Sequence, residues 1–176
     1  MFEQHSQNDF ATEGRPSPAF LQAVRGMQIV TFALVLSSAL VTGIMFFLNK
    51  GQINGQPSVV SVIGFAMAAA NFVAHAIVPK VVMTKQLESV SKADLQGMSL
   101  EDQQMTVLTS MRSGHIIGSA ILEGAVFFNA IAYMVEKWGG SLAIIGVLIV
   151  LIILRIPTGY GMQNQVTERL REIEMS

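Results

Sequence analysis

The stretch IIGSAILEGAVFFNAIAYMV, residues 116–135, carries one carboxylate, Glu123, in a run that is otherwise almost wholly apolar or small. A hydrocarbon core about 30 Å thick is crossed by about 20 helical residues rising 1.5 Å each. The run has that length, so it reads as a transmembrane helix. Working outward, three more apolar runs cover residues 29–48, 59–78 and 142–156, the last extended to 139–156 by Gly139 and Gly140. Lipid admits only elements that satisfy their own backbone hydrogen bonds. The expected fold is therefore all-α: a polytopic membrane protein built as a four-transmembrane-helix bundle.

Composition points the same way. Hydrophobic residues make up 51% of the 176 and charged residues 13%, against roughly 25% charged in an ordinary soluble domain. A net charge of -1 with no Lys/Arg cluster gives no footprint for nucleic acid. The absence of cysteine excludes disulfides, thiolate metal sites and cysteine nucleophiles. There is no HExxH pair, Walker glycine loop, GxSxG elbow or dinucleotide fingerprint, so neither an enzyme nor a cofactor is indicated. His5, His75 and His115 are scattered and read as hydrogen-bonded or exposed side chains, not metal ligands.

Orientation follows from the basic residues. Arg15, Arg25, Lys80, Lys85, Lys92, Arg112, Arg155, Arg169 and Arg171 fall on one side of the four runs, and only Lys50 and Lys137 on the other. This positive-inside bias predicts that both termini and the middle loop face the cytoplasm. The first run follows a polar stretch and lacks a small-residue cleavage site, so it reads as a retained span. Tyr133 and Trp138 are expected at the opposite boundary, where amphipathic rings settle.

Outside the spans, residues 1–22 read as a flexible tail and residues 49–58, with Gly51, Asn54, Gly55 and Pro57, as a short exposed hairpin. Residues 80–112 form the cytoplasmic loop. Within it Ser99 and Asp102 have the spacing of a capping box, so the third helix is expected to start near Leu100. Residues 161–176 place Val166, Leu170 and Ile173 opposite Glu168, Arg169, Arg171 and Glu172. That pattern predicts an amphipathic helix lying on the membrane or against a partner.

Glu123 is the residue expected to carry chemistry, because an ionised carboxylate about 10 Å inside the membrane costs several kcal/mol unless protonated, paired or hydrated. Arg112, His115, Ser119 and Glu123 recur at helical spacing and form one polar stripe. On the second helix Asn71 and His75 lie at comparable depth, and either could hydrogen-bond Glu123. Gly114 with Gly118, and Ala120 with Gly124, are small-xxx-small pairs that let helices approach closely. They are expected to pack against Gly64, Ala66 and residues 68–70 of the second helix. Ser37, Ser38 and Thr42 are expected to bond their own helix backbone.

The segment from Ala120 to Tyr133, with Ala-x-x-Glu followed by aromatics at Phe127 and Phe128, resembles the carboxylate-bearing helix of rotary ATPase proteolipids. That resemblance covers about one helix and implies an ion-binding role for Glu123. Over the whole chain, the approach Val24-Arg-Gly-Met-Gln-Ile, the Glu-Gly-x-x-Phe-Phe-Asn segment and the exit Arg155-Ile-Pro-Thr resemble a group of small four-helix bacterial inner-membrane proteins of unassigned activity. The expected function is a structural or accessory membrane subunit that works by helix packing and association, with itself or with a larger complex. The alternative is proton or cation handling at Glu123.

Overall fold

The computed structural model describes residues 16–53, 55–88 and 97–175. Among them are five helices and no strand: α1 (Pro18–Leu48), α2 (Val59–Glu88), α3 (Leu100–Glu136), α4 (Gly139–Leu154) and α5 (Gly159–Met175). Three of these, α1 to α3, are long and apolar enough to cross a membrane. A fourth crossing is available if α4 and α5, bent by 71° at the intervening break, count as one span.

Each boundary has a local cause. Ser17 caps α1 by accepting the Phe20 N–H at 3.2 Å, with Pro18 at the first helical position. Residues 18–22, assigned above to the tail, are therefore helical, and residues 1–15 lie outside the described residues. At α3, Ser99 accepts the Asp102 N–H at 3.2 Å and donates to the Asp102 carboxylate at 2.6 Å. Leu100 is accordingly the first residue of α3, and this helix extends about 55 Å at 1.5 Å per residue. The 80–112 loop shrinks in consequence. α2 continues through Pro79 to Glu88 and α3 already begins at Leu100, while residues 89–96 lie outside the described residues.

α3 is the hub. In its most apolar stretch 50% of residues are buried inside the molecule, against 11% for α1 and 17% for α2. α1, α4 and α2 pack on α3 in that order around it, since α4 touches both of the others while α1 and α2 share no substantial contact. One side of α3 is left open between α1 and α2. Leu122, Ala125, Val126 and Ala130 of α3 meet Ala68 of α2 and Ile145, Leu148 and Ile152 of α4 in the main core.

The distribution of side chains suits hydrocarbon. Ile29, Phe32, Leu36 and Leu40 are exposed along α1, Phe65 and Phe72 on α2, and Val147 and Val150 on α4. Thr31, Ser38, Ser61, Ser119, Asn129 and Ser141 are buried. A molecule in water cannot present such an apolar belt at low cost, whereas lipid tails solvate it and force polar groups inward.

A second core lies beyond the apolar belt, where Phe20, Val24 and Met27 of α1 and Val107 and Leu108 of α3 enclose Met162, Val166 and Leu170 of α5. The apolar face of the C-terminal helix is thus covered by its own chain. The expectation that this face meets the membrane or a partner is corrected. Helical periodicity identifies a face that must be buried, and here the first turns of α1 and α3 supply the cover.

At the opposite end the α1–α2 connection is short and largely exposed, as expected, with Asn54 outside the described residues, and it is also pinned to the end of α3. Asn49 donates to the Tyr133 and Met134 carbonyls at 3.1 and 3.3 Å. The Glu136 carboxylate accepts backbone N–H groups of Ser58, Val60 and Ser61 at 2.9 to 3.1 Å, capping α2 from another helix. Gly55 sits so close that a Cβ there would stand 1.9 Å from the Glu136 carbonyl oxygen. Tyr133 is fully buried, stacks on Phe46 with centroids 6.2 Å apart and donates to the Gln52 carbonyl at 2.9 Å. It is a core residue and not a ring at the lipid boundary.

Candidate functional site

The polar residues of α3 divide between two faces. His115, Ser119 and Glu123 turn toward α1. His115 Nε2 lies 3.0 Å from Thr31 Oγ1, whose own proton goes to the Met27 carbonyl at 2.9 Å. A hydroxyl has one proton, so His115 Nε2–H is the donor when that proton goes to Met27 and Nε2 the acceptor when it goes to His115. Two turns further on, half-buried Glu123 accepts from the Ser37 hydroxyl. Between them Ser119 is fully buried with no hydrogen-bond partner, as is Ser38 on α1. Arg112 is exposed and stands outside this seam.

The expected partners of Glu123 on α2 are corrected. Asn71 is half-buried without a contact to Glu123, and His75 turns its ring back onto its own helix, with Nδ1 on the Phe72 carbonyl and rings 5.1 Å apart. Depth in the membrane placed these residues at the right level. The azimuth of Glu123 on α3, toward α1, decides against them.

Facing α2, Gly114 and Gly118 accommodate a proline. A Cβ on Gly114 would lie 2.9 Å from the Pro79 carbonyl oxygen, and one on Gly118 would lie 2.8 Å from Pro79 Cγ and 2.6 Å from Arg155 Nη2. Pro79 has no N–H, which strips the carbonyl of His75, four residues earlier, of its helical donor. Arg155, just past α4, approaches that carbonyl at 3.5 Å with Nη1. α2 stays helical through Pro79 because a neighbour partly replaces the missing donor. Higher on the same contact Asn129 donates to Gly64 of α2 at 3.1 Å and to Ala125 at 2.9 Å. Arg155 entered the sequence reading only as an orientation charge and a motif residue and Asn129 only within a motif, and neither was expected to bond α2. The signal for Arg155 was present as a Pro inside a helix with its i−4 carbonyl orphaned.

The second small pair behaves differently. Ala120 and Gly124 are exposed, and a Cβ on Gly124 would meet nothing within 4 Å. The expectation that this pair packs against α2 is corrected. Both residues lie on the open side of α3, flanking Glu123 in sequence, and leave a shallow notch there. Among the described residues no group of three His, Asp or Glu stands close enough to hold a metal ion.

These features define a multi-pass, all-helical membrane protein with one polar seam and one uncovered face on its central helix. No family model, curated protein or solved structure matches the chain.

Proposed function

We propose that this protein is a structural or accessory subunit of the bacterial inner membrane, with both termini cytoplasmic, that associates through the open face of α3. The observation that carries this reading is the notch at Ala120 and Gly124 beside half-buried Glu123. Small residues let a second helix come close, and between helices in lipid the attraction comes from close packing and from hydrogen bonds that hydrocarbon cannot offer. Inside this chain Gly114 and Gly118 already serve that purpose, whereas Ala120 and Gly124 are exposed, with open space where a Cβ on Gly124 would stand. A helix from a second subunit placed there would shield the exposed part of the Glu123 carboxyl from lipid.

The chain has no cysteine, so a single introduced thiol reports one place. Gly124→Cys and Val147→Cys, each carrying a thiol-linked benzophenone, are irradiated in native membranes. Position 124 should give a discrete protein–protein adduct and position 147, exposed on α4, should give none. Equal adduct yields at the two positions, or none at 124, contradicts the association face.

A second reading, proton handling at Glu123, is favoured by the Ser37 pairing. Ser37 also reaches the Leu34 carbonyl at 3.1 Å. Its hydroxyl can donate to an ionised Glu123, or accept from a protonated one while donating to Leu34. Both charge states of the carboxyl therefore find a partner without movement of either helix.

A further inference from the structure

Where the apolar belt ends, a cleft of about 390 Å³ opens between α2, α3 and α5. Its charged lining is Lys80, Arg155, Glu168, Arg169 and Glu172. Arg169 is neutralised by Glu172 at 2.5 Å, the one ion pair among the described residues. That leaves two cations, Lys80 and Arg155, against the single carboxylate Glu168. Arg155 is half-buried without a carboxylate partner; its Nε is buried with no hydrogen-bond acceptor, and its one acceptor, the His75 carbonyl, is long at 3.5 Å. A guanidinium with five donors left this poorly satisfied beside an open cavity is a recognition element for an oxyanion.

Position and wall chemistry narrow the oxyanion. Lys80 stands two residues past the apolar run 59–78, and Arg155 directly after α4, whose sixteen residues carry no charge. Both cations therefore stand at the level where headgroup phosphates lie. The remaining wall includes Met83, Met111 and Met162, flexible apolar side chains that suit a glycerol backbone and the start of an acyl chain. A net charge of one positive unit matches a phosphodiester with one negative charge. Basic pockets between membrane helices take anionic headgroups in this manner.

We infer that the cleft between α2, α3 and α5 binds the headgroup of an anionic glycerophospholipid, with its phosphodiester held between Arg155 and Lys80. The site is separate from the notch at Gly124 and does not depend on it.

The test is native mass spectrometry of the full chain in neutral detergent, titrated separately with phosphatidylglycerol, phosphatidylethanolamine and inorganic phosphate. Wild type should retain phosphatidylglycerol in preference to the other two. Lys80→Gln, at an exposed position that takes no part in packing, should bind it about fivefold more weakly, and Lys50→Gln at the far end should bind it as wild type does. Arg155→Gln should lose it, and the Lys80 variant decides the matter if loss of Arg155 prevents folding. Unchanged affinity in Lys80→Gln, equal retention of phosphatidylethanolamine, or occupancy by inorganic phosphate at the same concentrations would each overturn the assignment.

Discussion

At Ser37 one proton has two claimants, the Leu34 carbonyl and the Glu123 carboxyl. This makes the contact sensitive to what stands at position 123. Gln keeps nearly the volume of Glu and can donate from its amide to the Ser37 oxygen, reproducing the protonated carboxyl; Leu cannot. Glu123→Gln should assemble and melt as wild type does. A double-mutant cycle of Ser37→Ala with Glu123→Leu should give a coupling energy of about 0.6 kcal/mol, the usual size for hydrogen bonds between membrane helices. Zero coupling would remove the bond from the account. Stable assembly of Glu123→Gln together with loss of a cellular phenotype would move the preference to proton handling. The rarity of a carboxylate in such a run singles out Glu123 from sequence, whereas Ser37 was expected to bond only its own backbone, which it reaches at Leu34, and its contact with Glu123 was not foreseen. A helical serine can bond its own backbone, as Ser37 does to Leu34 while Ser38 does not, and spacing along α3 fixes depth without fixing which neighbour lies alongside. Glu136 was missed for a related reason. It caps α2 across 75 residues of sequence, and no local pattern announces a cap supplied from another helix.

For the helices, apolar length and caps made four of the five elements legible, and Ser99 with Asp102 marked the start of α3 correctly. Pro79 was the exception. A proline normally ends a helix, and α2 continues only because Gly114 and Gly118 make room for the ring while Arg155 approaches the orphaned His75 carbonyl. The two small-xxx-small pairs of α3 looked alike in sequence and differ in what lies opposite them. Leu at position 118 would have to displace Pro79 and the Arg155 guanidinium, whereas at position 124 it would enter open space. Gly118→Leu should therefore lower stability in detergent by about 1–3 kcal/mol, as overpacking does. Gly124→Leu should leave the melting temperature of the isolated protomer unchanged or slightly raised, since Leu favours helix over Gly. Thermal unfolding of the two variants side by side checks this, and equal destabilisation would contradict the division of α3 into a packed and an open face.

The whole molecule combines two solvents. Its central part turns hydrocarbon outward and hydroxyls inward, and its end core of α1, α3 and α5 buries Phe20, Val107 and Val166 as a water-soluble domain would. Sequence periodicity showed that α5 had an apolar face, but the cover comes from residues more than a hundred positions earlier on α1, which periodicity does not see. The end core bears on the fourth crossing that we propose: with α5 docked beside the starts of α1 and α3, α4 would return the chain across the bilayer on its own, its 16 residues spanning about 24 Å. The proposed roles of Glu123, the open face and the end cleft rest on that four-crossing topology. The most direct measurement is labelling of single cysteines by a membrane-impermeant thiol reagent in intact spheroplasts, at Gln52→Cys, Lys137→Cys, Lys85→Cys and Arg171→Cys. Labelling is expected at 52 and 137 and protection at 85 and 171 until the membrane is opened, whereas labelling at 171 together with 52 in intact spheroplasts would overturn the four-crossing topology.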